Sequence, residues 1–162
     1  MAGGEKEGFA NSKGEYFKNH NYLLIPHANN KKENIELFKS LITQMGFTKI
    51  TETDSSTHDN KIGFTSQLCH VVASAMVSSA RDPNVTSFGG GSFEDLTRIA
   101  MINAPLWAEL FLSNKEKLVE HIKTFTSQMQ IFQDLIEKED VQGLISLLTD
   151  VRFKREAMAK KD

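Results

Sequence analysis

The sequence predicts a mainly α protein, an all-helical region preceded by a β–α–β segment. Three observations carry that expectation. Apolar runs at Tyr22–Ile25 and Phe47–Thr51 flank a stretch with Ile35, Phe38, Leu41 and Ile42 at helical spacing. From Ser56 onward every periodicity is helical. Leu118, Ile122, Phe125, Met129, Phe132 and Ile136 then recur at intervals of 4, 3, 4, 3 and 4, a seam suited to packing on another helix.

Taken in order, residues 1–20 are polar and glycine-rich, with Gly3, Gly4, Gly8 and Gly14, and read as a loop with at most one short helix. Tyr22–Ile25, ended by Pro26, suits a buried strand. Asn30 is a candidate cap for a helix over Lys31–Met45, and Gly46 fits the position just past its end. With the strand Phe47–Thr51 this makes β–α–β, too short for a complete parallel-sheet domain, so residues 1–53 read as the tail of one. Ser56, with Asp59 three residues on, predicts the start of one long helix reaching Ser79 or Ala80. Its apolar residues cover much of its circumference, which predicts burial at the centre or in a subunit interface, with Cys69 a small buried side chain. A turn at Arg81–Asn84 leads to Gly89-Gly90-Gly91 and a second capping pair, Ser92 with Asp95. Asn103-Ala104-Pro105 breaks that helix before Trp107, and Ser113 with Glu116 is a third capping pair. A last helix carries Val141, Leu144, Ile145, Leu148 and Val151, and the charged tail Arg152–Asp162 is expected to leave it. The helical domain thus spans 54–162.

Composition excludes several function classes. Nineteen basic and 21 acidic residues give a net charge of −2, without the basic excess of a nucleic-acid binder or a polybasic membrane-surface protein. No apolar run approaches the ~20 residues needed to cross a bilayer. A single cysteine allows no internal disulfide and points to a reducing cytoplasm.

Candidate chemistry concentrates between Thr57 and Arg98. On one continuous helix, Asp59 and His70 fall about 20° apart around the axis but roughly 16 Å apart along it, so they form no direct dyad. Ser66 and His70 are an i, i+4 pair able to touch. A serine hydrolase is rejected, because no Gly-x-Ser-x-Gly elbow occurs and a mid-helix serine lacks an oxyanion hole. His58, Cys69 and His70 lack metal-ligand spacing, so no metal is expected. On local grounds His70 reads either as a hydrogen-bonded core histidine or as a ligand contact. Gly90 and Gly91 before a helix start would let backbone N–H groups meet an anion, with Arg98 adding a carboxylate contact. The alternative is a loop, with Arg98 paired to Glu94. No Gly-x-Gly-x-x-Gly or Walker loop occurs.

Met1–Gly8, Thr57-His58-Asp59, Ser66–His70, Gly89–Gly91, Asp95–Ala100, Asn103–Trp107 and Asn114 together resemble prephenate dehydrogenase, over nearly the whole chain and in the right order. The resemblance implies oxidative decarboxylation of prephenate to 4-hydroxyphenylpyruvate in tyrosine biosynthesis, with NAD or NADP. It also implies a fold: a helical dimerisation domain of the 6-phosphogluconate dehydrogenase C-terminal type, after a remnant of a Rossmann-type domain that would hold most of the coenzyme. The family motif His-Pro-x-Ala-Gly-x-Glu enters this chain at its third position. The histidine that bonds the substrate's ring hydroxyl is therefore expected outside it, and the chain alone is expected to be inactive.

Carried over by position, Arg98 would hold a substrate carboxylate and Glu5 would help place it. His70 would line the pocket with Asp59 and Ser66 nearby, Trp107 would support its wall, and Gly3 and Gly4 would lie toward the coenzyme. The implied partners are prephenate or arogenate and a second copy of the chain. Gln67 and Cys69 depart from the family's frequent Ser-His-Leu-Pro-His, and Glu94 stands where some members have lysine, which keeps arogenate in competition. A non-catalytic helical dimerisation or carboxylate-sensing module is the rival from another class.

Overall fold

The computed structural model describes residues 8–82 and 84–159. Glu5, Gly3 and Gly4 lie outside the described residues. The chain divides into two compact units, one through Leu118 and one from Val119.

In the first unit, β1 (Asn21–Leu24) pairs in parallel with β2 (Lys49–Glu52), Tyr22 opposite Ile50. They are joined by α1 (Lys32–Gln44). Gly46, at φ 98°, makes the left-handed turn off α1 that a side chain would resist. Asn30 is not the cap expected of it. Lys31 occupies that position without a side-chain bond, and the Asn30 carboxamide instead accepts from the His27 amide in the preceding turn. Tyr22 stands edge-on to both Phe38 and Phe47, which closes one side of the sheet over the buried Ile42 and Phe47.

The expected helix over 56–79 runs without a break, but its winding changes in the middle. α2 (Ser55–Ile62) is capped by Asp54, whose carboxylate accepts from the Thr57 hydroxyl and amide, rather than by Ser56. Those two bonds hold the Asp54 carboxyl below its ordinary range. A π turn follows at Gly63–Gln67, and then α3 (Leu68–Ser79). The Leu68 amide donates to the Gly63 carbonyl, five residues back. Cys69, expected buried, is exposed, its thiol over the Thr65 carbonyl at 3.5 Å.

α4 (Gly91–Thr97) starts from Gly90 with no side-chain cap, so the Ser92–Asp95 pair does not form. Arg98 ends α4 and opens a 3-10 turn, Arg98–Ala100, that packs against α3. α5 (Ala104–Ser113) opens on Asn103, whose carboxamide accepts from the Leu106 amide. Ser113 is a late residue of α5, donating back to the Leu110 carbonyl, and so does not cap the next helix. α6 (Lys115–Glu137) begins after Asn114, which accepts from the Leu118 amide through its backbone carbonyl.

The second unit holds the remainder of α6 and α7 (Val141–Ala159), joined through Glu139 in the left-handed region. Asp140 caps α7 by accepting from the Gly143 amide. The tail expected to leave the last helix at Arg152 stays helical to Ala159, because Lys154-Arg155-Glu156-Ala157-Met158 are all strong helix formers with no glycine or proline among them. Phe125, Met129, Ile136, Ile145, Leu148 and Val151 remain exposed on these two helices.

Candidate functional site

The π turn decides which side chains meet. An extra residue in one turn rotates everything beyond it by about 100° relative to a continuous α-helix. Asp59 therefore leaves the stripe it was expected to share with His70. A cavity of about 790 Å³ in the first unit is lined by His58, Ser66, Gln67, His70 and Trp107 from the helices and by Tyr22 and Phe47 from the sheet side. Asp59 lines a separate, smaller cavity beside Ser113–Lys117.

His70 is held from two directions. Its ring stacks on Trp107, centroids 3.6 Å apart and planes 26° from parallel. Its Nδ1 lies 3.0 Å from the Ser66 carbonyl. A carbonyl only accepts, so Nδ1 carries the proton and neutral His70 keeps Nε2 as an open acceptor. Ser66 and His70 thus do meet, but through the serine's backbone rather than its hydroxyl. Trp107 is only 4 % exposed and also meets the Phe111 ring, centroids 5.5 Å apart, so the stacking surface is held by core packing. His58 Nδ1 is 2.9 Å from the Asp59 carboxylate, which ties the pocket's second histidine to an acid.

The glycine loop and Arg98 are elsewhere. Gly90 and Gly91 are exposed, with open space where a Cβ would stand. Neither they nor Arg98 line the His70 cavity. α4 has only seven residues, so its N-terminus is a weak anion site. The guanidinium is exposed and makes no ion pair with Glu94 or any other described residue. No group of three or more metal-binding side chains occurs among the described residues.

Sequence reasoning gave no role to Gln67, Asn114 or His58 in the site. Gln67 is 5 % exposed, donating to the Leu110 carbonyl at 2.9 Å and accepting from Asn114 Nδ2 at 2.8 Å. Asn114 Nδ2 also donates to the Asp59 carbonyl at 2.8 Å. A long-armed amide flanked by the apolar Leu68 and small residues was the available signal, since buried amides are kept where both ends are satisfied.

A parallel β–α–β edge, a helical body interrupted by a π turn, and an exposed apolar pair of C-terminal helices define a helical dimerisation-type domain with a mainly apolar pocket, carrying a few polar side chains, at its sheet side. The chain belongs to the family described as prephenate dehydrogenase, dimerization domain, which matches residues 54–150. It is 27 % identical over 165 residues to a prephenate dehydrogenase of Bacillus subtilis and 31 % over 163 residues to one of Lactococcus lactis; each match covers 98 % of this chain and 44 % of the relative. A prephenate dehydrogenase from A. aeolicus, solved in complex with hydroxyphenyl propionate and NAD+, superposes with a TM-score of 0.82 at 29 % identity. That match covers 98 % of this chain and 57 % of the other. The chain thus spans about half the length of the curated relatives it matches.

Proposed function

We propose that this chain is part of a nicotinamide-dependent dehydrogenase that oxidatively decarboxylates prephenate, and that residues 54–162 supply the helical side of its substrate pocket and its dimer contact. The observation that carries the proposal is the family match over 54–150, a span that contains His70, its Ser66 anchor and the stacked Trp107. Loss of a hydride and of CO₂ from prephenate needs the ring held in one orientation rather than a nucleophile. An imidazole fixed by two contacts, with Nε2 open, suits that task. Arg98, exposed and unpaired among the described residues, is the proposed partner of a substrate carboxylate. Glu94, exposed on the same short helix, favours weighing arogenate, whose ammonium it would attract, as the competing substrate.

The coenzyme of this reading is NAD or NADP, which accepts the hydride. The described residues do not fit its pyrophosphate. The link from β1 to α1, residues 25–31, holds no glycine, and α1 starts without a cradle of the Gly-x-Gly-x-x-Gly kind. No step is therefore assigned to residues of this chain through the coenzyme. Pairing of two copies through the exposed apolar residues of α6 and α7 completes the proposal, in a cytoplasmic setting. No helix among the described residues is long and apolar enough to cross a membrane.

Titration of the chain with prephenate, followed by Trp107 emission, tests the reading. A saturable change is expected, lost in His70→Ala and weakened about ten- to a hundredfold in Arg98→Ala, the range of a charge-assisted hydrogen bond. The 162-residue chain by itself should give no prephenate-dependent rise in NADH absorbance. Absence of any saturable change with prephenate or arogenate up to millimolar concentration would overturn the assignment of the pocket.

A further inference from the structure

We propose that Gln67 is a positioning residue, an uncharged donor–acceptor bridge that holds α5, and with it Trp107, against His70. The inference rests on the pocket reading for its functional meaning but not for its test. Leu110 is one of the last four residues of α5, whose carbonyls have no assured partner within the helix. Gln67 Nε2 supplies one, reaching out of the π turn to the Leu110 carbonyl, and the Ser113 hydroxyl supplies another. The orientation of the amide is set by its partners. A carbonyl can only accept, so the nitrogen of Gln67 faces Leu110 and its oxygen faces Asn114. Asn114 is oriented the same way, because its nitrogen donates to the Asp59 carbonyl as well. Gln67 lies three residues before His70, and Leu110 three residues after Trp107. The bridge therefore joins the turn that carries one ring to the turn that carries the other.

The role asks for one donor and one acceptor on a single short rigid group. An amide has both at every pH. A neutral imidazole also has both, one N–H and one bare nitrogen. An imidazolium has two donors and would oppose the N–H of Asn114. Leucine has neither, so the Leu110 carbonyl and Asn114 Nδ2 each lose the partner that joined them, and keep only the Ser113 hydroxyl and the Asp59 carbonyl. Gln67→His is therefore a bridge that works only while its ring is neutral, and Gln67→Leu is no bridge at all. The ionisable groups of the elements packed around position 67 are His58, Asp59 and Lys61 on α2, Cys69 and His70 on α3, Glu109 on α5, and Lys115, Glu116 and Lys117 at the start of α6. They are common to all three proteins and cancel in the comparison.

The test uses the near-ultraviolet dichroism of the single tryptophan in the full chain, at about pH 8 and about pH 5, on either side of the ordinary imidazole pKa of about 6.5. Gln67→His should match the wild-type Trp107 signal at the higher pH. It should lose at least about half of it reversibly at the lower, over and above any wild-type change. Gln67→Leu should lack the signal at both. A Gln67→Leu chain with the wild-type signal overturns the proposal. So does a Gln67→His chain that changes no more than the wild type, or one that never recovers the wild-type signal at the higher pH. If Gln67→Leu does not fold by far-ultraviolet dichroism, the histidine comparison decides alone. No ligand enters the experiment, so a chain that binds neither prephenate nor arogenate loses the proposed function without touching this result.

Discussion

Association of two copies should depend on the exposed apolar residues of α6 and α7, and its size can be worked from their exposure. Met129 is 54 % exposed, Ile136 61 %, Ile145 53 %, Leu148 54 % and Val151 48 %. Full burial of such a side chain is worth about 1.5–3 kcal/mol, so covering the remaining half of each contributes about 1 kcal/mol. Two-fold symmetry doubles the five, giving about 10 kcal/mol from these side chains alone, before hydrogen bonds and closer packing. That is comparable to the roughly 4–15 kcal/mol that association costs in lost freedom, so the dimer has little to spare from this patch. Met129→Asp together with Leu148→Asp removes about 4 kcal/mol across both copies and places four carboxylates in an apolar contact. The dissociation constant should therefore rise by at least about three powers of ten. Sedimentation velocity across a micromolar concentration series reads this directly. Far-ultraviolet dichroism should be unchanged, because both positions face solvent in a single copy. A double variant that still sediments as a dimer over the wild-type concentration range would place the contact on another face of the chain.

Two further outcomes concern stability. The Asp54 carboxyl is held below its ordinary range by Thr57, so its contribution is fully present above the unfolded value of about 3.9 and is lost as pH falls through the lower folded value. Asp54→Asn should make the acid limb of a urea-midpoint profile shallower below about pH 4, and an unchanged limb would deny the cap its role. In Gly143→Ala the new Cβ would stand 2.5 Å from Asp140 Oδ2 and 2.7 Å from Leu135 Cδ2. The helix gain of about 1 kcal/mol is then outweighed by a disturbed cap and overpacking, for a net loss of about 1–3 kcal/mol. A raised melting temperature would reverse that sign.

The elements were legible in the sequence, and their joints were not. β1, α1 and β2 fall within a few residues of expectation because apolar period and flanking Pro26 and Gly46 act locally. Caps went to neighbours instead: Asp54 rather than Ser56, Gly90 rather than Ser92. Each site offers several candidates in a row, and the direction from which the chain arrives selects among them. The failure that matters for the site is the π turn at Gly63–Gln67. It has no residue signature, and it is stabilised by bonds from Asn114, which lies far along the chain.

That one turn accounts for the largest difference between the expected and the observed site. A continuous helix would put Asp59, Ser66 and His70 on one stripe. The π turn releases Asp59 to the neighbouring cavity, brings His58 into the pocket in its place, and turns the Ser66 carbonyl to His70. Arg98 stands apart for a different reason. Its side chain sits on a short turn exposed in a single copy, away from the cavity that holds His70. Among its described lining residues the cavity has a fixed imidazole and an aromatic wall but no lysine or arginine. On the proposed reading the cation for a dicarboxylate comes from outside that cavity, and Arg98→Ala should weaken prephenate binding without altering the His70–Trp107 stack. Measured together, Trp107 dichroism and prephenate affinity separate those two contributions: an Arg98→Ala chain with an altered stack would mean that the arginine acts on the pocket's shape rather than on the ligand's charge.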